Sequence, residues 1–129
     1  MDFSALAEGL QHIGIPTGDL GKSIAFYQEI GFRQELLTKH PETGEQVAFL
    51  KLGDLVLEIY ECDSPAGKDG AINHFAIGVT DIEAAYQLAR ENGLHILEPV
   101  QFLPFWEKGV RFFIVEGPDR ERVEFSQIL

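Results

Sequence analysis

Four residues of this 129-residue chain could together hold a metal ion: His12, Glu58, His74 and Glu124. Each histidine lies in a short apolar run, Leu10-Gln-His12-Ile-Gly14-Ile and Ile72-Asn-His74-Phe-Ala-Ile-Gly78. Strand alternation puts His12 on one face with Gly14, and His74 on one face with Ala76 and Gly78, leaving space beside each imidazole. Each glutamate interrupts an apolar run, Leu55-Val-Leu-Glu58-Ile-Tyr60 and Val123-Glu124-Phe-Ser126. A carboxylate there is costly to bury unless something pairs with it. Imidazole nitrogen with carboxylate oxygen suits Zn, Ni, Co, Fe or Mn, and the lack of thiolate argues against a structural zinc. Each residue alone has a plainer reading, a hydrogen-bonded strand histidine or a glutamate facing water. The symmetry of the four favours the metal.

That symmetry runs through the chain. An offset of 62 residues brings His12 onto His74, Asp19 onto Asp81 and Gly31 onto Gly93, with Ile15 on Ile77, Leu20 on Ile82 and Phe32 on Leu94. Two copies at so long a period indicate a duplicated module rather than a solenoid. Residues 1–9 read as a leader with a helical turn. In the first copy, strands are expected at 10–16, 32–38, 46–52 and 55–61. Asp19 N-caps a helix carrying Leu20, Ile24, Tyr27 and Ile30, and Gly31 ends it. Gly53-Asp54 marks a hairpin.

The second copy repeats the order. Strands are expected at 72–79, 94–98, 109–115 and 122–127. A helix runs from Asp81 to Asn92 with Ile82, Ala85, Tyr86 and Ala89 as its buried stripe. Residues 99–108 read as a long aromatic loop. The chain is thus α+β, two tandem βαβββ modules at about 10–62 and 71–129, joined by the linker 63–70 within one domain.

Composition excludes several functions. Net charge is −11, and the ten Lys and Arg are scattered, so nucleic-acid and anionic-membrane binding lack their basic cluster. No apolar run approaches the ~20 residues of a membrane span. The single Cys62 leaves no internal disulfide and, with no signal-peptide pattern at the start, points to a cytoplasmic protein. His40, beside Pro41 in a turn, reads as solvated, and His95 as structural. Phe102, Phe105 and Trp106 read equally as core or interface residues and as the lining of a substrate pocket.

The chain from about Leu10 onward resembles the vicinal oxygen chelate superfamily, the glyoxalase/bleomycin-resistance/dioxygenase group. The resemblance rests on His12-Ile-Gly-Ile, Asp19-Leu-Gly-Lys-Ser-Ile-Ala-Phe-Tyr27, Ile30-Gly-Phe, His74-Phe-Ala-Ile-Gly-Val with Asp81, and Gly117-Pro-Asp-Arg-Glu-Arg-Val-Glu124-Phe. It implies a curved mixed sheet forming a cup around one divalent metal held by His12, Glu58, His74 and Glu124. Within the group, that set is similar to glyoxalase I (lactoylglutathione lyase), which implies a lyase or isomerase acting on an α-hydroxycarbonyl or hemithioacetal through an enediolate. Glu124 would be the base and Glu58 the partner that exchanges roles with it. Arg122, on the face of Glu124, would orient it and, with Phe102, Phe105 and Trp106, line the substrate pocket.

Other members of the group offer alternatives: an epimerase, a thiol-transfer resistance enzyme, or a non-catalytic, bleomycin-resistance-like binding module. The partner implied is a small-molecule substrate, with a thiol adduct among the candidates, and a second copy of the chain in a homodimer. Two positions and one turn depart from the glyoxalase I pattern. Pro16 and Cys62 stand where bacterial glyoxalase I enzymes usually carry Arg and Asn toward glutathione, and Gly117-Pro-Asp-Arg120 replaces the usual Asp-Pro-Asp-Gly.

Overall fold

The computed structural model describes residues 5, 10–68, 70 and 72–129. Apart from Ala5, the leader at 1–9 lies outside the described residues. The chain divides into two compact units, Met1–Ser64 and Pro65–Leu129. Both are α+β, and each has the order β-α-β-β-β.

The first unit comprises β1 (Ile13–Thr17), α1 (Leu20–Glu29), β2 (Arg33–Lys39), β3 (Gln46–Leu52) and β4 (Leu55–Glu61). Its sheet has the order β1-β4-β3-β2. The first strand pairs with the last in parallel, and the other neighbours are antiparallel. The helix begins where Asp19, in extended backbone, accepts through Oδ1 from the Lys22 N–H at 3.1 Å. It stops because Gly31 takes φ +110°, a conformation glycine adopts without steric cost. Ile15, Ala48, Leu50, Leu57 and Ile59 are buried with Leu20 and Tyr27 of the helix. The buried hydroxyls of Thr17 and Ser23 bond each other at 2.8 Å.

The second unit comprises β5 (Phe75–Gly78), α2 (Ile82–Glu91), β6 (His95–Leu103), β7 (Val110–Glu116) and β8 (Arg122–Ile128). Its sheet order, β5-β8-β7-β6, is the same arrangement, with β5 parallel to β8. Asp81 caps α2 as Asp19 caps α1, accepting from the Ala84 N–H at 3.1 Å. Phe113 stacks on Phe125 at 5.0 Å and meets the edge of Tyr86 at 5.1 Å. Ile82 and Ala89 of the expected stripe are buried, while Ala85 and Tyr86 are half-buried.

Three boundaries differ from the sequence reading by more than one residue. β1 starts at Ile13 and β5 at Phe75, so both histidines stand one residue before a strand rather than inside it. The ladders begin at Ile13↔Leu57 and Phe75↔Val123, and just upstream the amide side chains of Gln11 and Asn73 bond the imidazoles. The aromatic segment expected as a loop from Pro99 is strand as far as Leu103. Register shifts at Ile96/Glu98 and Glu98/Gln101 absorb Pro99, whose missing N–H interrupts a regular ladder.

The Gly117–Arg120 turn accounts for one departure from the glyoxalase I pattern. Arg120 has φ +65°, where a side chain crowds its own backbone and glycine does not. Glu121 supplies the turn's carboxylate, accepting from the Asp119 N–H at 2.8 Å, and its side chain fills the space a Cβ on Gly117 would need. Arg120→Gly is therefore expected to stabilise the fold by about 1 kcal/mol, read as a higher urea midpoint at unchanged m. An unchanged or lower midpoint would show that the turn holds Arg120 without strain.

Candidate metal centre

In the first unit, the parallel register sets Gly14 opposite Glu58, and the antiparallel register sets Phe49 opposite Glu58 on its other side. Paired residues share a face, so Gly14, Glu58 and Phe49 point the same way. His12 joins them, its ring edge-on to Phe49 with centroids 6.1 Å apart. A Cβ on Gly14 would stand 3.7 Å from the Tyr60 ring and 4.0 Å from Glu58 Oε1, so ring and carboxylate lean over the bare glycine. His12 and Glu58 are both half-buried.

In the second unit, Ala76 stands opposite Glu124, and His74 Nε2 lies 3.6 Å from Glu124 Oε1. The Glu124 side chain is 16% exposed. Burial pushes its carboxyl above the usual glutamate range, the nearby Glu98 charge adds to this, and His74 opposes it. Glu98 is the neighbour that the sequence reading missed. Its two oxygens accept from Arg122 Nη2 and from Gln101 Nε2, the latter at 2.8 Å. Arg122 was expected to orient Glu124. Its guanidinium is held by Glu98 instead, because the cross-strand carboxylate offers a charge-assisted bond, and Arg122 is not among the influences on Glu124.

Both imidazoles are held in the same way. His12 Nδ1 donates to Gln11 Oε1 at 2.9 Å, and His74 Nδ1 donates to Asn73 Oδ1 at 3.0 Å. With the proton on Nδ1, Nε2 keeps its lone pair, and the outer bond fixes tautomer and ring orientation as it does in metal-ligating histidines. Each unit therefore offers one imidazole nitrogen and one carboxylate oxygen on one sheet face, and Glu124 is half-buried. The donor set fits a divalent first-row ion. In the second unit the two donors meet, His74 Nε2 lying 3.6 Å from Glu124 Oε1. Among the described residues, no group of three or more His, Cys, Asp or Glu is close enough to hold an ion.

The remaining candidates lie elsewhere. Phe102, Phe105 and Trp106 are 53%, 54% and 66% exposed, which removes the core reading. Phe102 belongs to β6, its ring over Gly109, where a Cβ would come within 2.3 Å. Phe105 and Trp106 meet edge-on at 6.3 Å, and Trp106 has φ +62°. His95 bonds Glu116 across the β6–β7 ladder at 3.1 Å, and His40 accepts from the Glu42 N–H in its turn. Gln11 and Asn73 were legible after all, since they obey the offset of 62 residues. Glu98 has no counterpart in the first copy to draw attention to it.

Residues 9–125 match the Glyoxalase/Bleomycin resistance protein/Dioxygenase superfamily. The chain is 33% identical over 130 residues to the uncharacterised protein YwbC of Bacillus subtilis, covering 95% of this chain and 99% of that one. It is 32% identical over 123 residues to lactoylglutathione lyase of Haemophilus influenzae, covering 90% of each. The crystal structure of the fosfomycin resistance protein FosX from Listeria monocytogenes, complexed with Mn(II) and sulfate, shares the fold at TM-score 0.71 and 20% identity, covering 95% of this chain and 94% of that one. The chain belongs to the Glyoxalase/Bleomycin resistance protein/Dioxygenase superfamily, and its two βαβββ units are the fold of that group. Among the described residues, no helix is long and apolar enough to cross a membrane.

The raised carboxyl of Glu124 predicts a pH dependence in the metal-free protein. A carboxyl with a raised folded pKa stabilises the fold while protonated and loses that contribution as pH rises through the folded value. Metal-free Glu124→Gln should have a higher urea midpoint than the unsubstituted protein at neutral pH. The difference should vanish on the acid side of the usual glutamate range. A variant less stable at neutral pH would mean that the charge of Glu124 is already compensated.

Proposed function

We propose that this chain is a divalent-metal-dependent isomerase or lyase of small α-hydroxycarbonyl compounds or hemithioacetals, with His12, Glu58, His74 and Glu124 as the ligand set. The observations that carry the reading are the His74–Glu124 contact of the second unit and the matching bonds of the His12 and His74 Nδ1 atoms to the preceding amide. The resemblance to a lactoylglutathione lyase along 90% of both chains supports the reaction class.

The ion, when bound, would supply Lewis-acid stabilisation of negative charge developing on the substrate oxygens. Glu124 takes the proton from the carbon next to the carbonyl and returns it to the neighbouring carbon, as general base and then general acid. Its burial favours the protonated form midway through that transfer. Glu58, half-buried beside Tyr60, is the partner that can exchange roles. Gln11 and Asn73 keep the imidazoles in the ligating tautomer. The reading includes a homodimer in the cytoplasm, consistent with a chain that has one cysteine and a strongly acidic balance.

A second reading has one observation in its favour. The exposed Phe102, Phe105 and Trp106 would suit a non-catalytic module that grips a planar ligand. An epimerase and a thiol-transfer resistance enzyme would keep the metal and differ in substrate.

Two substitutions separate these readings. Glu124→Gln should retain the metal and lose turnover of hemithioacetal or α-hydroxycarbonyl by about 10²–10⁴-fold. His12→Ala should lose stoichiometric metal by elemental analysis of protein purified without added ions. Full turnover in Glu124→Gln would remove that residue as the base. No metal in the unsubstituted protein at neutral pH would favour the binding module.

A further inference from the structure

We infer that Glu98 is a specificity-determining residue of the reaction proposed above, and that the sheet face bearing His74 and Glu124 receives an uncharged part of the substrate. This rests on that reading for the place where chemistry occurs. It adds the chemical class of what enters there.

The register fixes which residues share that face. Glu98 lies opposite Ile114, which lies opposite Glu124, and Gln101 lies opposite Phe112, which lies opposite Ser126. Arg122 is two residues before Glu124 on the same strand and faces the same way. The strands of the second sheet hold two cations, Arg111 and Arg122. Arg111 lies on the opposite face, in register with Phe102 and Gln127, and is bound to Glu83 of α2 at 2.5 Å. Arg122 is thus the one strand cation on the His74 face.

A guanidinium that recognises a carboxylate or phosphate presents its fork of donors to the ligand. Of the Arg122 fork, Nη2 is bonded to Glu98, and Nε is buried without a hydrogen-bond partner, out of a ligand's reach. Gln101 occupies the other Glu98 oxygen and holds that carboxylate in place. With Arg122 neutralised, Glu124 leaves the face net negative before any ion binds. An anionic substituent would have to take Arg122 from Glu98 and leave Glu98 uncompensated. On the ligand face of the first sheet the strand cations offer little more. Lys51 is exposed beside Glu35, and Arg33, its register partner, is bound to Glu35 at 2.8 Å. The groups beside His12 and Glu58 there are the rings of Phe49 and Tyr60. This chemistry suits a free α-hydroxycarbonyl, or the adduct of a small uncharged thiol, and works against carriers that bear carboxylates or phosphates.

The test measures binding, so it does not depend on turnover. Two thioethers with the same hexyl chain are titrated calorimetrically into metal-loaded protein: S-hexylglutathione, which carries carboxylates, and hexyl 2-hydroxyethyl sulfide, which is uncharged. The unsubstituted protein should bind the uncharged thioether at least about 10-fold more tightly. Glu98→Gln frees Arg122 and should improve binding of S-hexylglutathione about 10-fold while leaving the uncharged ligand within about twofold. Adding Arg122→Gln to that variant should erase the gain, which a merely structural role for Glu98 would not produce. Equal or reversed preference in the unsubstituted protein, no binding of either thioether, or no gain in folded Glu98→Gln would overturn the inference. If the charge preference holds but no α-hydroxycarbonyl or hemithioacetal is turned over, the isomerase reading fails and only the charge preference of this face stands.

Discussion

The parallel pairing of first and last strand sets the geometry of both units. A parallel neighbour cannot be reached by a tight turn, so the chain must leave β1 through a helix and come back through a meander. That route puts His12 and Glu58 on one face, although most of the unit lies between them in sequence. The same route joins His74 to Glu124. The helices cover the opposite face with an apolar core, and the carboxylates of the other face stand among Phe49 and Tyr60 in the first unit and Phe112 and Ile114 in the second. A carboxylate can survive in an apolar strand here because its neighbour across the parallel ladder is Gly14 or Ala76, with an imidazole just beyond.

The two copies keep this scaffold and dress it differently. Beside His12 and Glu58 stand rings, Phe49 and Tyr60. Beside His74 and Glu124 stand the charges and amide of Glu98, Arg122 and Gln101. Under the first helix Thr17 and Ser23 bond one another, and the matching positions in the second copy are Val79 and Ala85. The two copies thus carry the same imidazole and carboxylate in unequal surroundings.

Most of the architecture was legible in the sequence because it is punctuated locally. Asp19 and Asp81 cap, Gly31 and Gly93 stop, and Gly53 turns, each through its own backbone chemistry. The candidate ligands stood out in the sequence for another reason: a repeat makes a costly residue conspicuous when it recurs. What was missed lies where neither device operates. The continuation of β6 past Pro99 depends on register shifts that only the partner strand β7 defines. The capture of Arg122 by Glu98 is a contact between strands far apart in sequence. On β8 alone, the nearest carboxylate to Arg122 seemed to be Glu124.

Each sheet also begins and ends with its own strands, so no ladder of either sheet crosses from Ser64 to Pro65. A unit of this kind can be copied, fused or traded as a single stretch of genetic text without cutting through a ladder. Each copy carries one imidazole and one carboxylate at matching places in its sheet. Once doubled, the copies can drift apart in their surroundings while the imidazole and carboxylate stay, which lets one strand pairing serve many chemistries.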